Sequence, residues 1–173
     1  MPTSQHRREP LTRDDISRLE KAIGKPRDRL VVWTLLDCGL RISELCALAR
    51  QDVDFQRDTI RITGKGRRRR TVPMTPRVHA LLEHYFALED TLPLSRRMGH
   101  RIVTAIARRA AISKPCPPHV LRHTFAVNLL QRGLSLAAVQ RLLGHERLTS
   151  TAIYLNLSND EAIREFREKV SRA

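Results

Sequence analysis

Six polar residues of this chain can do chemistry together: Arg41, Lys65, His119, Arg122, His145 and Tyr154. A tyrosine hydroxyl titrates at about pH 10. It attacks a phosphodiester at neutral pH only where cations stabilise the developing charge and a base takes its proton. Arg41 and Arg122 can neutralise non-bridging phosphate oxygens through paired hydrogen bonds, His119 can accept the tyrosine proton, and His145 can hydrogen-bond the phosphate. Tyr154 is one of two tyrosines. The other, Tyr85, stands among Leu81, Leu82, Phe86 and Leu88 and reads as core.

The composition agrees with a phosphate partner. Across 173 residues, 32 Lys+Arg face 18 Asp+Glu, for a formal net charge of +14 and a sequence pI of about 11.2. Such a surplus favours a polyanion, nucleic acid ahead of membrane. With only 4% aromatic residues, stacking platforms for single-stranded bases are scarce, so duplex DNA is the expected partner. Cys38, Cys46 and Cys116 lack paired metal-ligand spacing and read as reduced, buried thiols. No metal or other cofactor is expected. The polar stretch Met1 to Pro10 carries no secretory signal and no run suits a membrane span, which predicts a cytoplasmic, nucleoid-associated protein.

The elements that must hold the six residues are mostly helical. Thr12 and Asp15 form a capping box ahead of Ile16, Leu19 and Ile23. A helix from Arg27 to Asp37 stops at Gly39, and Ser43 starts another with Leu45 and Leu48 buried. Val53 to Phe55, Thr59 to Thr63 and Thr71 to Met74 predict a small three-stranded antiparallel sheet. Pro76 opens a helix, a further one spans Ser95 to Ala111, and the prolines between Ile112 and Pro118 end it. Helices from His119 to Gln131, Leu136 to Leu143 and Asn159 to Val170 complete the chain. Residues 119, 122 and 123 fall within about 100° of arc on one helix, so His119, Arg122 and His123 share a face that continues into Ala126 and Leu130, expected to be buried. Lys65 sits between Gly64 and Gly66 at a hairpin tip, outside any nucleotide-binding P-loop pattern. Arg67, Arg68, Arg69 and Arg70 follow it and are expected to grip DNA phosphates.

Three separated strings resemble the tyrosine recombinases, the phage integrase family: Gly39-Leu40-Arg41-Ile42-Ser43-Glu44-Leu45, Pro118-His119-Val120-Leu121-Arg122-His123-Thr124-Phe125, and Leu142-Leu143-Gly144-His145 with Ile153-Tyr154 beyond. The resemblance implies a mixed α+β, mainly α-helical catalytic domain over residues 11–173, after a flexible tail at 1–10 and without the family's N-terminal core-binding domain. It implies site-specific recombination (integration, excision or inversion) through a 3′-phosphotyrosine at Tyr154, with Lys65 as general acid and Glu44 orienting a neighbour. It also implies double-stranded DNA carrying an inverted-repeat site as partner, and a protein that is monomeric when free and a homotetramer on DNA. The terminal helix, with its strip of Ile163, Phe166 and Val170, docks into a neighbouring protomer in the family; packing on its own domain is the alternative. Two other functions fit part of the chain. A non-catalytic helix-turn-helix reader uses residues 120–143 but leaves Arg41, Lys65 and Tyr154 without a role. A type IB topoisomerase shares the cleavage chemistry but lets the cut strand swivel instead of exchanging it.

Overall fold

The computed structural model describes residues 9–64, 69–144 and 159–170. Eight helices are seen among them: α1 (Arg13–Ala22), α2 (Pro26–Asp37), α3 (Ile42–Cys46), α4 (Pro76–Phe86), α5 (Arg96–Arg109), α6 (Pro118–Gln131), α7 (Leu136–Leu143) and α8 (Asn159–Val170). Between α3 and α4 lies a three-stranded antiparallel sheet in the order β1 (Val53–Asp54), β2 (Thr59–Thr63), β3 (Arg69–Pro73).

Local chemistry accounts for most boundaries. The Thr12 hydroxyl accepts from the Asp15 N–H at 3.1 Å while the Asp15 carboxylate accepts from the Thr12 N–H at 3.0 Å, which satisfies two donors at the start of α1. Prolines stand in the first turn of α2, α4 and α6, where no N–H is required. Ser135 caps α7, and Gly144 ends it in the left-handed conformation at φ 67°.

Helix α2 is the spine. Every residue from Leu30 to Leu36 is buried, and α3, α4, α5 and α6 all pack against it. A helix apolar on all sides is stable only when surrounded in this way. A second cluster, built on Phe125, Leu129, Val139, Leu142, Ile163 and Phe166, joins α6, α7 and α8. The apolar strip of α8 therefore packs on α7 of its own chain. Glu165 fixes the contact by accepting from the Ser135 N–H at 2.6 Å and hydroxyl at 2.9 Å. No helix among the described residues is long and apolar enough to cross a membrane.

Burial corrects the expectation at four positions, of which Tyr85 is half-buried against the core rather than within it. Leu130 is 41% exposed, because α6 turns the faces bearing Val120, Leu121, Phe125 and Leu129 inward and leaves Leu130 on the outer face with His119 and His123. Ala126, on the same face, is half-buried. Cys46 is half-buried as well, whereas Cys38 and Cys116 are buried, and all three are free thiols.

Thr124 ties the start of the domain to α6. Fully buried, its hydroxyl donates to the Val120 carbonyl at 2.8 Å and accepts from the Leu11 N–H at 2.9 Å. Thr124→Val keeps the shape but strands a buried N–H, which is expected to cost about 1–3 kcal/mol. Thr124→Ser retains the hydroxyl and is expected to lose less; urea unfolding midpoints compare the two.

Candidate phosphate-binding site

The last carbonyls of α7 organise the site. A helix C-terminus leaves carbonyl oxygens without intrahelical donors and carries partial negative charge. Three arginines from distant segments meet that need. Arg70 Nε donates to the Leu142 carbonyl at 2.9 Å, Arg122 Nη2 to Leu143 at 2.6 Å, and Arg41 Nη2 to Gly144 at 3.4 Å. Arg122 Nη1 also donates to the carbonyl of Gly39, in the bend after α2. That bend exists because Gly39 takes φ 63°, directing the chain into α3 and placing Arg41 at its N-cap.

One carboxylate stands among the three cations. Glu44 accepts from Arg70 Nη1 at 2.7 Å and Nη2 at 2.8 Å, from Arg41 Nη1 at 2.8 Å and from the Arg41 backbone N–H at 2.7 Å. Arg122 Nη1 lies 3.9 Å from it. The backbone bond also caps the first turn of α3, as an acidic residue three places into a helix does. Burial alone would raise the Glu44 pKa. Hydrogen bonds from Arg70 and the Arg41 backbone, with the Arg70 charge, outweigh burial and lower it from 4.5 to about 2. Burial also disfavours the Arg122 cation, as does the nearby Arg41 charge, while Glu44 opposes both; the pKa falls to about 10. Arg122 stays protonated at neutral pH.

Glu44 makes stability pH-dependent. Its folded pKa lies below its unfolded one, so its contribution is complete above about pH 4.5 and disappears as pH falls towards 2. The shift corresponds to about 3 kcal/mol. Urea midpoints taken between pH 6 and pH 2.5 are expected to fall more steeply for the unaltered chain than for Glu44→Gln, which has no carboxyl to protonate.

Exposure divides the arginines. The Arg41 side chain is 45% exposed, against 12% for Arg122 and 10% for Arg70. Arg41 faces solvent, whereas only a small part of Arg122 remains exposed. His119, exposed, lies one turn before Arg122 on α6, and His123 is exposed beside them. Arg69 points to solvent, but Arg70 does not, and its expected role as a phosphate grip is corrected: both of its terminal nitrogens and Nε are engaged inside the protein. The strand register explains this. Arg70 pairs with Ile62, and Val72 with Ile60, so alternation puts Arg70 on the buried face of the sheet. The apolar positions Ile60, Ile62 and Val72 carried that signal in the sequence. Lys65, Arg67, Arg68, His145 and Tyr154 lie outside the described residues; Lys65 belongs to the connection between β2 and β3, and His145 follows Gly144 in sequence.

A mostly helical domain with a three-stranded sheet and clustered arginines is the architecture of a tyrosine recombinase catalytic domain. The family model described as the phage integrase family matches residues 9–161, and the chain belongs to that family. Its similarity runs to a tyrosine recombinase of Pseudothermotoga lettingae, 40% identical over 154 residues that cover 83% of this chain and 54% of that protein. Tyrosine recombinase XerA of Thermococcus kodakarensis is 37% identical over 174 residues, covering 92% of this chain and 61% of that protein. Among solved structures, a XerA recombinase superposes with a TM-score of 0.73 at 34% identity, covering 92% of this chain and 64% of that one. An integrase from mycobacterium phage Brujita shares the fold at a TM-score of 0.79 and 24% identity, covering 93% of this chain and 57% of that one. The chain thus spans about half to two-thirds of the length of these proteins.

Proposed function

We propose that this chain cleaves and rejoins duplex DNA in site-specific recombination, through a transient 3′-phosphotyrosyl bond to Tyr154. The observation that carries this reading is the convergence of Arg41 and Arg122 on one edge of the domain, from α3 and α6, beside the end of α7. Two guanidinium groups held a few ångströms from one carboxylate form a preorganised anion site. Facing a scissile phosphate, they neutralise its non-bridging oxygens as five-coordinate phosphorus forms. His119 takes the tyrosine proton, Lys65 protonates the leaving 5′ oxygen, and His145 hydrogen-bonds the phosphate. The phosphotyrosyl link retains the energy of the broken bond, so the reaction calls for neither ATP nor a metal ion. Arg67, Arg68 and Arg69 supply phosphate contacts along the backbone. The partner is a duplex bearing inverted repeats, on which four copies assemble. Coverage of the α8 strip by α7 within one chain supports a monomer when free.

Incubation with a duplex nicked beside the scissile phosphate traps the intermediate, because the short product diffuses away. The expected result is a protein–DNA adduct that survives boiling in SDS, with peptide mapping placing the nucleotide on Tyr154. Salt-sensitive DNA binding without an adduct, or attachment elsewhere, overturns the reading in favour of a DNA-binding module.

A further inference from the structure

Arg70 is assigned no step of the phosphoryl transfer, yet it is deeply engaged in the cluster. Its two terminal nitrogens grip both oxygens of Glu44 at 2.7 and 2.8 Å in a fork-on-fork pair, and its Nε holds the Leu142 carbonyl at 2.9 Å. Its stem lies on Gly144, where an added Cβ would stand 2.9 Å from Arg70 Cδ. One side chain of β3 thereby joins α3, which carries Glu44 and is capped by Arg41, to the end of α7, which leads to His145.

We propose that Arg70 is a positioning residue: it neutralises Glu44, so that Arg41 and Arg122 present their full charge to the scissile phosphate. This rests on the recombinase reading. Three guanidinium charges against one carboxylate leave two net positive charges around a dianion-like transition state; without Arg70 one remains. A buried carboxylate that loses its partner draws in another cation, and Arg122, already 3.9 Å away, is the nearest one not yet hydrogen-bonded to it. Methionine keeps much of the Arg70 stem's volume while removing the charge. The lowered pKa of Glu44, to which the Arg70 hydrogen bond and charge both contribute, accords with this pairing.

The test is a double-mutant cycle on the rate of adduct formation in single turnover, with DNA affinity and urea midpoint measured for each variant. Arg70→Met is expected to slow adduct formation about 10- to 100-fold while DNA affinity changes less than about threefold, since the Arg70 guanidinium is engaged inside the protein. In a Glu44→Gln background, the same substitution is expected to change the rate by less than about threefold, because no carboxylate is left to neutralise. If Arg70→Met alone folds poorly, the comparison of Glu44→Gln with the double variant still decides. Equal slowing in both backgrounds, or slowing in proportion to the unfolded fraction, overturns the proposal. A readout independent of catalysis is the titration of the Glu44 carboxyl carbon by NMR. It is expected to move up by about one pH unit or more in Arg70→Met, and an unchanged titration overturns the charge pairing. Absence of any adduct from the unaltered chain overturns the recombinase reading instead, and with it the catalytic part of the role.

Discussion

Arg122→Met is expected to slow adduct formation about 10²- to 10³-fold, the effect of deleting one preorganised donor from a site where negative charge develops. The structure explains why stability falls less than activity. Arg122 donates to the carbonyls of Gly39 and Leu143, and losing both bonds is unfavourable. Burial and the neighbouring Arg41 charge, however, already work against its cation, as its lowered pKa of about 10 records. Removing the guanidinium relieves that opposition, leaving a net loss of about 1–3 kcal/mol. Arg122→Lys keeps a charge but cannot span two carbonyls and a phosphate with one ammonium, so its rate is expected to fall between the two. Single-turnover kinetics on the nicked duplex, beside urea midpoints, separate these effects. A cleavage rate within about tenfold of the unaltered chain for Arg122→Met would exclude it from phosphate binding.

The second large effect belongs to Gly39. An L side chain at φ 63° is strained by about 1–2 kcal/mol, and a Cβ there would sit 2.3 Å from Phe125 Cδ1 and 2.6 Å from Cε1. Phe125 is buried where α6 meets the second core cluster and cannot yield cheaply, which adds about 1–3 kcal/mol of overpacking. Gly39→Ala is therefore expected to lose about 2–5 kcal/mol, a large share of a typical domain's stability. Activity falls as well, because the Gly39 carbonyl orients Arg122 and the bend places Arg41. Gly24→Ala is the control. Nothing lies within 4 Å of a Cβ at Gly24, so the substitution is expected to be neutral or mildly stabilising. Equal urea midpoints for the two variants would show that the left-handed bend is not required.

Sequence alone was sufficient for the family and for most elements, although the third strand begins at Arg69 rather than Thr71 and the 3₁₀ turn at Arg50–Asp52 was not expected. Capping at Thr12 and Asp15, prolines opening α4 and ending the loop before α6, and glycines at 39 and 144 are signals confined to a few residues, so they survive without tertiary context. The α8 boundaries follow from its amphipathic period in the same way. Motif order marked Arg41, His119 and Arg122 as candidates, but it could not say which groups hold them. That was decided by contacts across long separations: Arg70 to Glu44 over 26 residues, Arg70 to Leu142 over 72, Arg122 to Gly39 over 83 and Arg41 to Gly144 over 103. Adjacent arginines look alike in a sequence, whereas β3 pairing turns Arg70 inward and Arg69 outward. Periodicity likewise cannot tell which of two candidate faces is covered, and Leu130 stayed exposed because it lies on the face of α6 that carries the exposed His119 and His123, away from the buried Leu129. The physical reason is common to these cases. Caps and turns are settled by hydrogen bonds within one turn of chain, while the partner of a buried charge is settled by whichever distant segment the core brings against it.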